Sequence, residues 1–164
     1  MGRHGSRAAV NKWRRFWRLS GLERGVLLRA LLLLPLTTVA LRLLGFRRWQ
    51  AALARLAPVA ETAAAGLSEA SMGRAQCVAR MVQAASREGP SRGNCLERSV
   101  VLWWLLRCQG IPGELRIGAR KQAGRFEAHA WVEFAGGVLN DAEDLHQHYA
   151  AFDRSIGSGK VKSS

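Results

Sequence analysis

The stretch Ser91–Pro112, SRGNCLERSVVLWWLLRCQGIP, puts a cysteine on the first turn of a helix that is otherwise built to be buried. The ends of that helix are legible. Asn94 to Glu97 form N-x-x-E, a capping-box pattern with Asn94 as N-cap and Glu97 at the third helical position. Gly110, followed by Ile111 and Pro112, is the matching stop signal. Between them Val100 to Leu106 is apolar all round, so the helix belongs inside the protein rather than on its surface. Cys95 then stands at the positive end of the helix dipole, where backbone N–H groups favour a thiolate over a thiol, as a nucleophile requires. A free cysteine taken alone is more commonly a small buried hydrophobe. What lifts Cys95 out of that class has to come from the rest of the chain.

After Pro112 the pattern changes to strands. ELRIGAR (Glu114–Arg120), RFEAHAWVEF (Arg125–Phe134) and GVLNDAEDL (Gly137–Leu145) follow one another, with Gly124 and Gly136-Gly137 marking the turns. Upstream, Ala75, Val78, Ala79, Val82 and Ala85 recur at helical spacing between Ser71 and Arg87, and Gly89-Pro90 ends that helix. Helices first and a small antiparallel sheet afterwards make an α+β arrangement. No internal repeat is visible.

The chain has 164 residues, enough for one domain with a real core and an appended segment. The net charge of +13 is unevenly spread. Residues 1–50 hold 11 Lys/Arg against the single acid Glu23, whereas residues 91–157 balance 8 basic against 8 acidic side chains. A cationic N-terminal arm therefore precedes a neutral C-terminal domain. Cys77, Cys95 and Cys108 are an odd number with no C-x-x-C pair, which argues against a disulfide framework and a structural zinc site and fits a reducing cytosol. No cofactor or metal is expected. No signal-peptide pattern is present.

The N-terminal arm, RHGSRAAVNKWRRFWR (Arg3–Arg18), mixes arginines with Trp13, Phe16 and Trp17. It can meet phosphates or anionic lipid, or dock on its own domain or a partner. Ser20 and Glu23 form a second capping box that opens an apolar run. The uncharged part of that run, Ala30 to Leu41, is only 12 residues long, bounded by Arg29 and Arg42 and containing Pro35. A spanning helix needs roughly 20 mostly apolar residues, so two short helices meeting at Pro35 are the expectation, with a span requiring both arginines to snorkel. Residues 47–66 are Ala-rich, a helix followed by a linker through Pro58 and Gly66. The resulting divisions are a basic arm (1–19), an N-terminal helical segment (20–66), a catalytic domain (67–155) and a flexible tail (156–164).

A chemical constellation emerges from the strands. With a three-residue hairpin loop, Ala135-Gly136-Gly137, Phe134 faces Val138 and Trp131 faces Asp141, which makes His129 a same-face diagonal neighbour of Asp141. A two-residue loop puts the pair on opposite faces, because a one-residue slip inverts a strand. Thiol, imidazole and orienting carboxylate make a Cys–His–Asp nucleophile system, here Cys95, His129 and Asp141. Individually, His129 is an ordinary strand histidine and Asp141 an ordinary turn residue; the three together carry the signal.

GNCLERSVVLWWLLRCQGIPGELRIGAR followed by FEAHAWVEFAGGVLND resembles the transglutaminase-like cysteine protease of lasso-peptide biosynthesis, the leader peptidase that elsewhere forms the protease half of a fused B protein. The basic, leucine-rich front end resembles that family as well. The resemblance implies a transglutaminase-like or papain-like core, a nucleophile helix packed on a small antiparallel sheet, with Cys95 as nucleophile, His129 as general base and acid, and Asp141 orienting the imidazole. It implies a precursor peptide, recognised through its leader, as substrate. Because the chain has no room for the small leader-binding domain of the fused versions, it also implies a separate leader-binding partner and an asparagine-synthetase-like cyclase nearby. The backbone N–H of Cys95 is the oxyanion candidate. Papain-type enzymes have a Gln six residues before the nucleophile; that position is Gly89, so a second oxyanion donor is unassigned. The leading expectation is a cytosolic leader peptidase without a nucleic-acid partner, its helical segment permitting peripheral membrane contact. The rivals are an acyl or aminotransferase on the same fold and a non-enzymatic basic protein binding membrane or nucleic acid.

Overall fold

The computed structural model describes residues 16–57, 68–89, 93–122, 125–140 and 150–151. Helices α1 (Gly21–Leu44), α2 (Phe46–Leu56), α3 (Glu69–Glu88) and α4 (Cys95–Arg107) precede β1 (Glu114–Gln122), β2 (Arg125–Phe134), β3 (Gly137–Val138) and β4 (Ala150–Ala151). The sheet is antiparallel with strand order β3-β2-β1-β4. The α+β expectation holds, and the long β1–β2 hairpin runs in register from Glu114 opposite Glu133 to Gln122 opposite Arg125.

Helix α4 is the centre of the packing. Val100, Val101, Leu102, Trp103, Leu105 and Leu106 are each at most 1% exposed, and burying such side chains is worth roughly 1.5–3 kcal/mol apiece. On one side lie Ala75, Val78, Val82 and Ala85 of α3 and Val26, Ala30 and Leu34 of α1. On the other lie Leu115, Val132 and Phe134 of the sheet. Helix α2 is tied to the far end of α4, where Trp104 Nε1 donates to Leu53 O at 2.9 Å and Arg107 Nε to Ala57 O at 3.1 Å.

Helix α1 corrects the expectation of a break. It runs unbroken through Pro35 for 24 residues. Proline removes one backbone bond and crowds the preceding turn, at about 3 kcal/mol. The buried stripe Val26, Ala30, Leu34, Thr37 and Ala40 lies on both sides of Pro35, so packing on α3 and α4 holds the two halves in line. Thr38 Oγ1 also donates to Leu34 O at 3.1 Å, and Trp49 Nε1 of α2 donates to Thr37 Oγ1 at 3.4 Å. The Ser20–Glu23 capping box forms as expected, with Glu23 N–H donating to Ser20 Oγ at 3.3 Å and Ser20 N–H to Glu23 Oε2 at 2.9 Å. By length and composition this helix could cross a membrane; one of its faces is buried against the domain.

The β2–β3 turn also differs from expectation. Phe134 pairs with Gly137 and Glu133 with Val138, so the loop is the two residues Ala135 and Gly136. Both have positive φ, 54° and 78°, the signature of a tight hairpin turn whose twist matches that of its strands. Gly137 looked like loop because it follows another glycine, yet it belongs to the ladder.

Ala135 is the one non-glycine with positive φ among the described residues. Asparagine tolerates that conformation better than alanine. Ala135→Asn should therefore raise the unfolding free energy by about 0.5–1 kcal/mol, read as a higher urea midpoint at unchanged slope. A lower midpoint would contradict the two-residue turn.

Candidate active site

The first turn of α4 is fixed from both sides of Cys95. Asn94 Oδ1 accepts from Glu97 N–H at 2.9 Å, and Glu97 Oε2 accepts from Asn94 N–H at 2.8 Å. This box spends its side-chain acceptor on Glu97, not on the N–H of Cys95. Gly93 enters the turn with φ 53°, and a Cβ there would come within 3.3 Å of Leu34 on α1 and 3.4 Å of the Glu97 carboxylate. The small residue lets the chain reach the cap between those two groups. Cys95 itself is half-buried.

His129 is also half-buried. Its ring stacks on Trp131, two residues along β2, with centroids 6.1 Å apart and planes inclined by 17°. Trp131 is 1% exposed and donates from Nε1 to Glu133 Oε1 at 2.7 Å. Trp131 and Glu133 thus hold one side of the imidazole, while its cross-strand partner on β1 is Gly118, which puts no side chain beside it. His129 shares the Trp131 face of β2, opposite Val132 and Phe134.

Cys95 and His129 line a single cleft of about 1470 Å³. Leu27 and Leu31 of α1 make its apolar part, while Arg80 and Arg87 of α3 and Arg98 of α4 make it cationic. The structure therefore brings two of the three sequence candidates to one cleft. The third, Asp141, lies outside the described residues, as does the tail from 152. Among the described residues no group of three or more His, Cys, Asp or Glu could hold a metal ion.

The two other cysteines differ electrostatically. Burial pushes the Cys77 thiol above its ordinary value, and the Glu23 carboxylate, whose Oε1 is 3.9 Å from the sulfur, adds to the shift against the opposing charge of Arg80. The Cys108 thiol is also raised, by desolvation, with Arg29 and Arg107 opposing, although the residue as a whole is exposed.

The sequence reading passed over Ser99 and Asn140. Ser99 is 0% exposed and one turn beyond Cys95 on the same face of α4. Its Oγ donates to Ala130 O at 2.8 Å and accepts from Asn140 Nδ2 at 2.8 Å. Asn140 Oδ1 in turn accepts from Val132 N–H at 2.8 Å. A serine and an asparagine are too common for this pattern to stand out in a sequence; the available signal was a hydroxyl in the middle of an otherwise apolar helix.

Residues 40–153 match the family model described as the transglutaminase-like superfamily. A segment of 54 residues is 39% identical to the microcin J25-processing protein McjB of Escherichia coli, covering 33% of this chain and 25% of that protein. The match thus spans about a quarter of that relative's length. No solved structure matches the chain.

Raised thiol values mean less thiolate near neutral pH, so Cys77 and Cys108 should react slowly there. At pH 7.5, substoichiometric iodoacetamide should label Cys95 first, as read by peptide mass spectrometry. As pH rises above 9 the exposed Cys108 should catch up before the buried Cys77. Preferential labelling of Cys77 at neutral pH would contradict this order.

Proposed function

We infer the function from a plain membership: the chain belongs to the transglutaminase-like superfamily. From it we propose a cysteine peptidase that removes the leader from a ribosomally made lasso-peptide precursor before macrocyclisation. The observation that carries the proposal is Cys95, at the capped start of a buried helix, sharing one cleft with His129. The likeness to a microcin J25-processing protein supports a peptide-processing role.

The mechanism follows from the chemistry of the groups. The Cys95 thiolate attacks the carbonyl at the leader–core junction, and the tetrahedral oxyanion forms beside the first N–H groups of α4, that of Cys95 included. Protonated His129 gives its proton to the leaving amine, and the departing core frees the acyl-enzyme. His129 then activates water, whose attack releases the leader and restores the thiol. Asp141 orients the imidazole. An amine in place of that water makes the same site a transferase, and product mass distinguishes the two: free leader and core for hydrolysis, a joined amine for transfer.

The working location is the cytosol, and the proposed partners are a small leader-binding protein and an asparagine-synthetase-like cyclase. The outward face of α1 is the proposed docking surface for the leader-binding protein. Leu28, Leu32, Leu36, Val39 and Leu43 are 49–77% exposed and recur at helical spacing. They leave an apolar stripe opposite the buried one, of the kind that a helix-in-groove partner covers.

Cys95→Ala should abolish precursor cleavage without loss of fold, while Cys77→Ala and Cys108→Ala retain activity. Asp141→Asn should cost up to about 10⁴-fold in kcat, through the wrong imidazole tautomer; Asp144→Asn should do much less. Normal turnover in Cys95→Ala or Asp141→Asn would remove that residue from the mechanism.

Delivery by the partner should raise cleavage at micromolar precursor about tenfold or more, since tethering raises effective concentration toward millimolar. Deleting α1 would take Val26, Ala30 and Leu34 out of the core, so the surface is better tested with Leu32→Glu/Leu43→Glu at the two most exposed positions of the stripe. The double variant should keep its basal rate and lose the response to partner. A normal response would move the stripe from a protein partner to a lipid surface, which binding to anionic vesicles would then register.

A further inference from the structure

The strand that carries His129 and the helix that carries Cys95 are joined by a closed chain of three buried or half-buried hydrogen bonds. It leaves β2 at Val132 N–H, passes through the Asn140 carboxamide to Ser99 Oγ, and returns to β2 at Ala130 O, each bond 2.8 Å long. Its members stand beside the reacting groups. Ser99 is one helical turn from Cys95, Ala130 follows His129, and Asn140 precedes Asp141.

The chain exists because β3 stops early. Along one edge, β2 presents the backbone groups of Ala130, Val132 and Phe134 toward β3. Regular pairing with β3 covers Glu133 and Phe134, and Leu139 N–H still donates to Val132 O at 2.9 Å. Among the described residues the ladder goes no further. Asn140 Oδ1 takes the Val132 N–H in place of the next backbone carbonyl, and Ser99 takes the Ala130 carbonyl. Buried backbone groups need such partners, but a strand residue or a water would serve that need equally well. The partners used here come from the nucleophile helix and from the residue next to Asp141.

The bonds also have a fixed direction. Ser99 has one hydroxyl proton and gives it to Ala130 O, so it can only accept from Asn140. Val132 offers an N–H, so Asn140 must present its oxygen there and its NH₂ to Ser99. Turning the carboxamide over would set donor against donor at Val132. The carboxamide thus has one orientation and β2 one height along α4.

We infer that Ser99 and Asn140 are positioning residues that hold His129 at reacting distance from Cys95, which rests on the pairing of those two groups proposed above. The test needs no substrate. In the full-length protein, the rate of Cys95 alkylation by iodoacetamide at pH 7.5 is compared among wild type, His129→Ala, Ser99→Ala, Asn140→Asp, and the doubles of His129→Ala with each brace variant. Amide exchange at Val132 is followed in parallel.

Asn140→Asp keeps an acceptor for Val132 N–H but offers Ser99 no donor, so Val132 should stay protected while the link to α4 is lost. If the brace acts through His129, each brace variant should lower the Cys95 rate about 10- to 100-fold, toward that of His129→Ala, a displacement of about 1 Å being able to cost that much. The doubles should then be no slower than His129→Ala alone, the non-additivity expected of residues that work through one group. Additive losses, or a Cys95 rate within twofold of wild type in the brace variants, overturn the positioning role. An unchanged rate in His129→Ala overturns the Cys95–His129 pairing itself and this inference with it. Should Ser99→Ala fail to fold, Asn140→Asp, which keeps the Val132 bond, carries the test.

Discussion

A helix that is apolar on every side has to be covered on every side, and here its first residue must also open to a cleft. These two demands on α4 account for the arrangement of the other elements. Helices α1 and α3 cover one flank and the sheet the other, while α2 is fastened to its C-terminal end through Trp104 and Arg107. The N-terminal end is left where α3 and the β2–β3 hairpin diverge, and the cleft forms in that gap. Asn94 and Glu97 close the first turn with hydrogen bonds instead of hydrophobic cover, so Cys95 stays open to the cleft while Val100 to Trp103 are sealed.

Apolar burial is non-directional, whereas directed hydrogen bonds between two elements specify which groups stand opposite each other. The link through Ser99 joins α4 and β2 in that way. It falls one turn inside the helix, with Ser99 at 0% exposure and its partners Ala130 and Asn140 lining the cleft. Rigidity in the interior and openness at the first turn are therefore separated by a single turn of helix.

Much of this was legible in the sequence, and the reasons differ by element. Capping boxes at Ser20 and Asn94 are local chemistry and form as expected, and so do the α4 stop at Gly110 and the two long strands. The errors arise where tertiary packing or a single register step decides. Pro35 should end a helix on its own merits, yet the buried stripe on both sides of it outweighs the lost bond. Gly136-Gly137 contains two residues fit for a turn, and only the pairing of Phe134 with Gly137 tells which one is in it. That step matters for the site: a regular β3 continued in this register would place His129 and Asp141 on opposite faces. Asn140, the last described residue before Asp141, meets Val132 N–H through its side chain rather than through a ladder carbonyl. Cys95 and His129 stand out because helix start and strand carry recognisable patterns; Asn140 does not, because its bonds to Val132 and Ser99 depend on tertiary placement.

The contrast between α1 and α4 is the last consequence. Both are rich in leucine and both contribute to the same core, yet α4 is enclosed and α1 is not. On α1 the stripe Val26, Ala30, Leu34, Thr37 and Ala40 is buried, while Leu32 and Leu43 on the other side are 74% and 77% exposed. Folding alone explains the first stripe and gives no reason for the second, since polar residues there would leave the packing on α3 and α4 unchanged. The charge pattern sharpens the point. Glu23 is the sole acid in residues 1–50, and its carboxylate is engaged by Ser20 in the capping box, whose backbone N–H is the main cause of its lowered pKa. The same segment carries the exposed Arg29, Arg42, Arg47 and Arg48 with no second acid among residues 1–50. Cys95 thus stands on the enclosed helix, whereas the half-covered one keeps an outward apolar face in a basic segment.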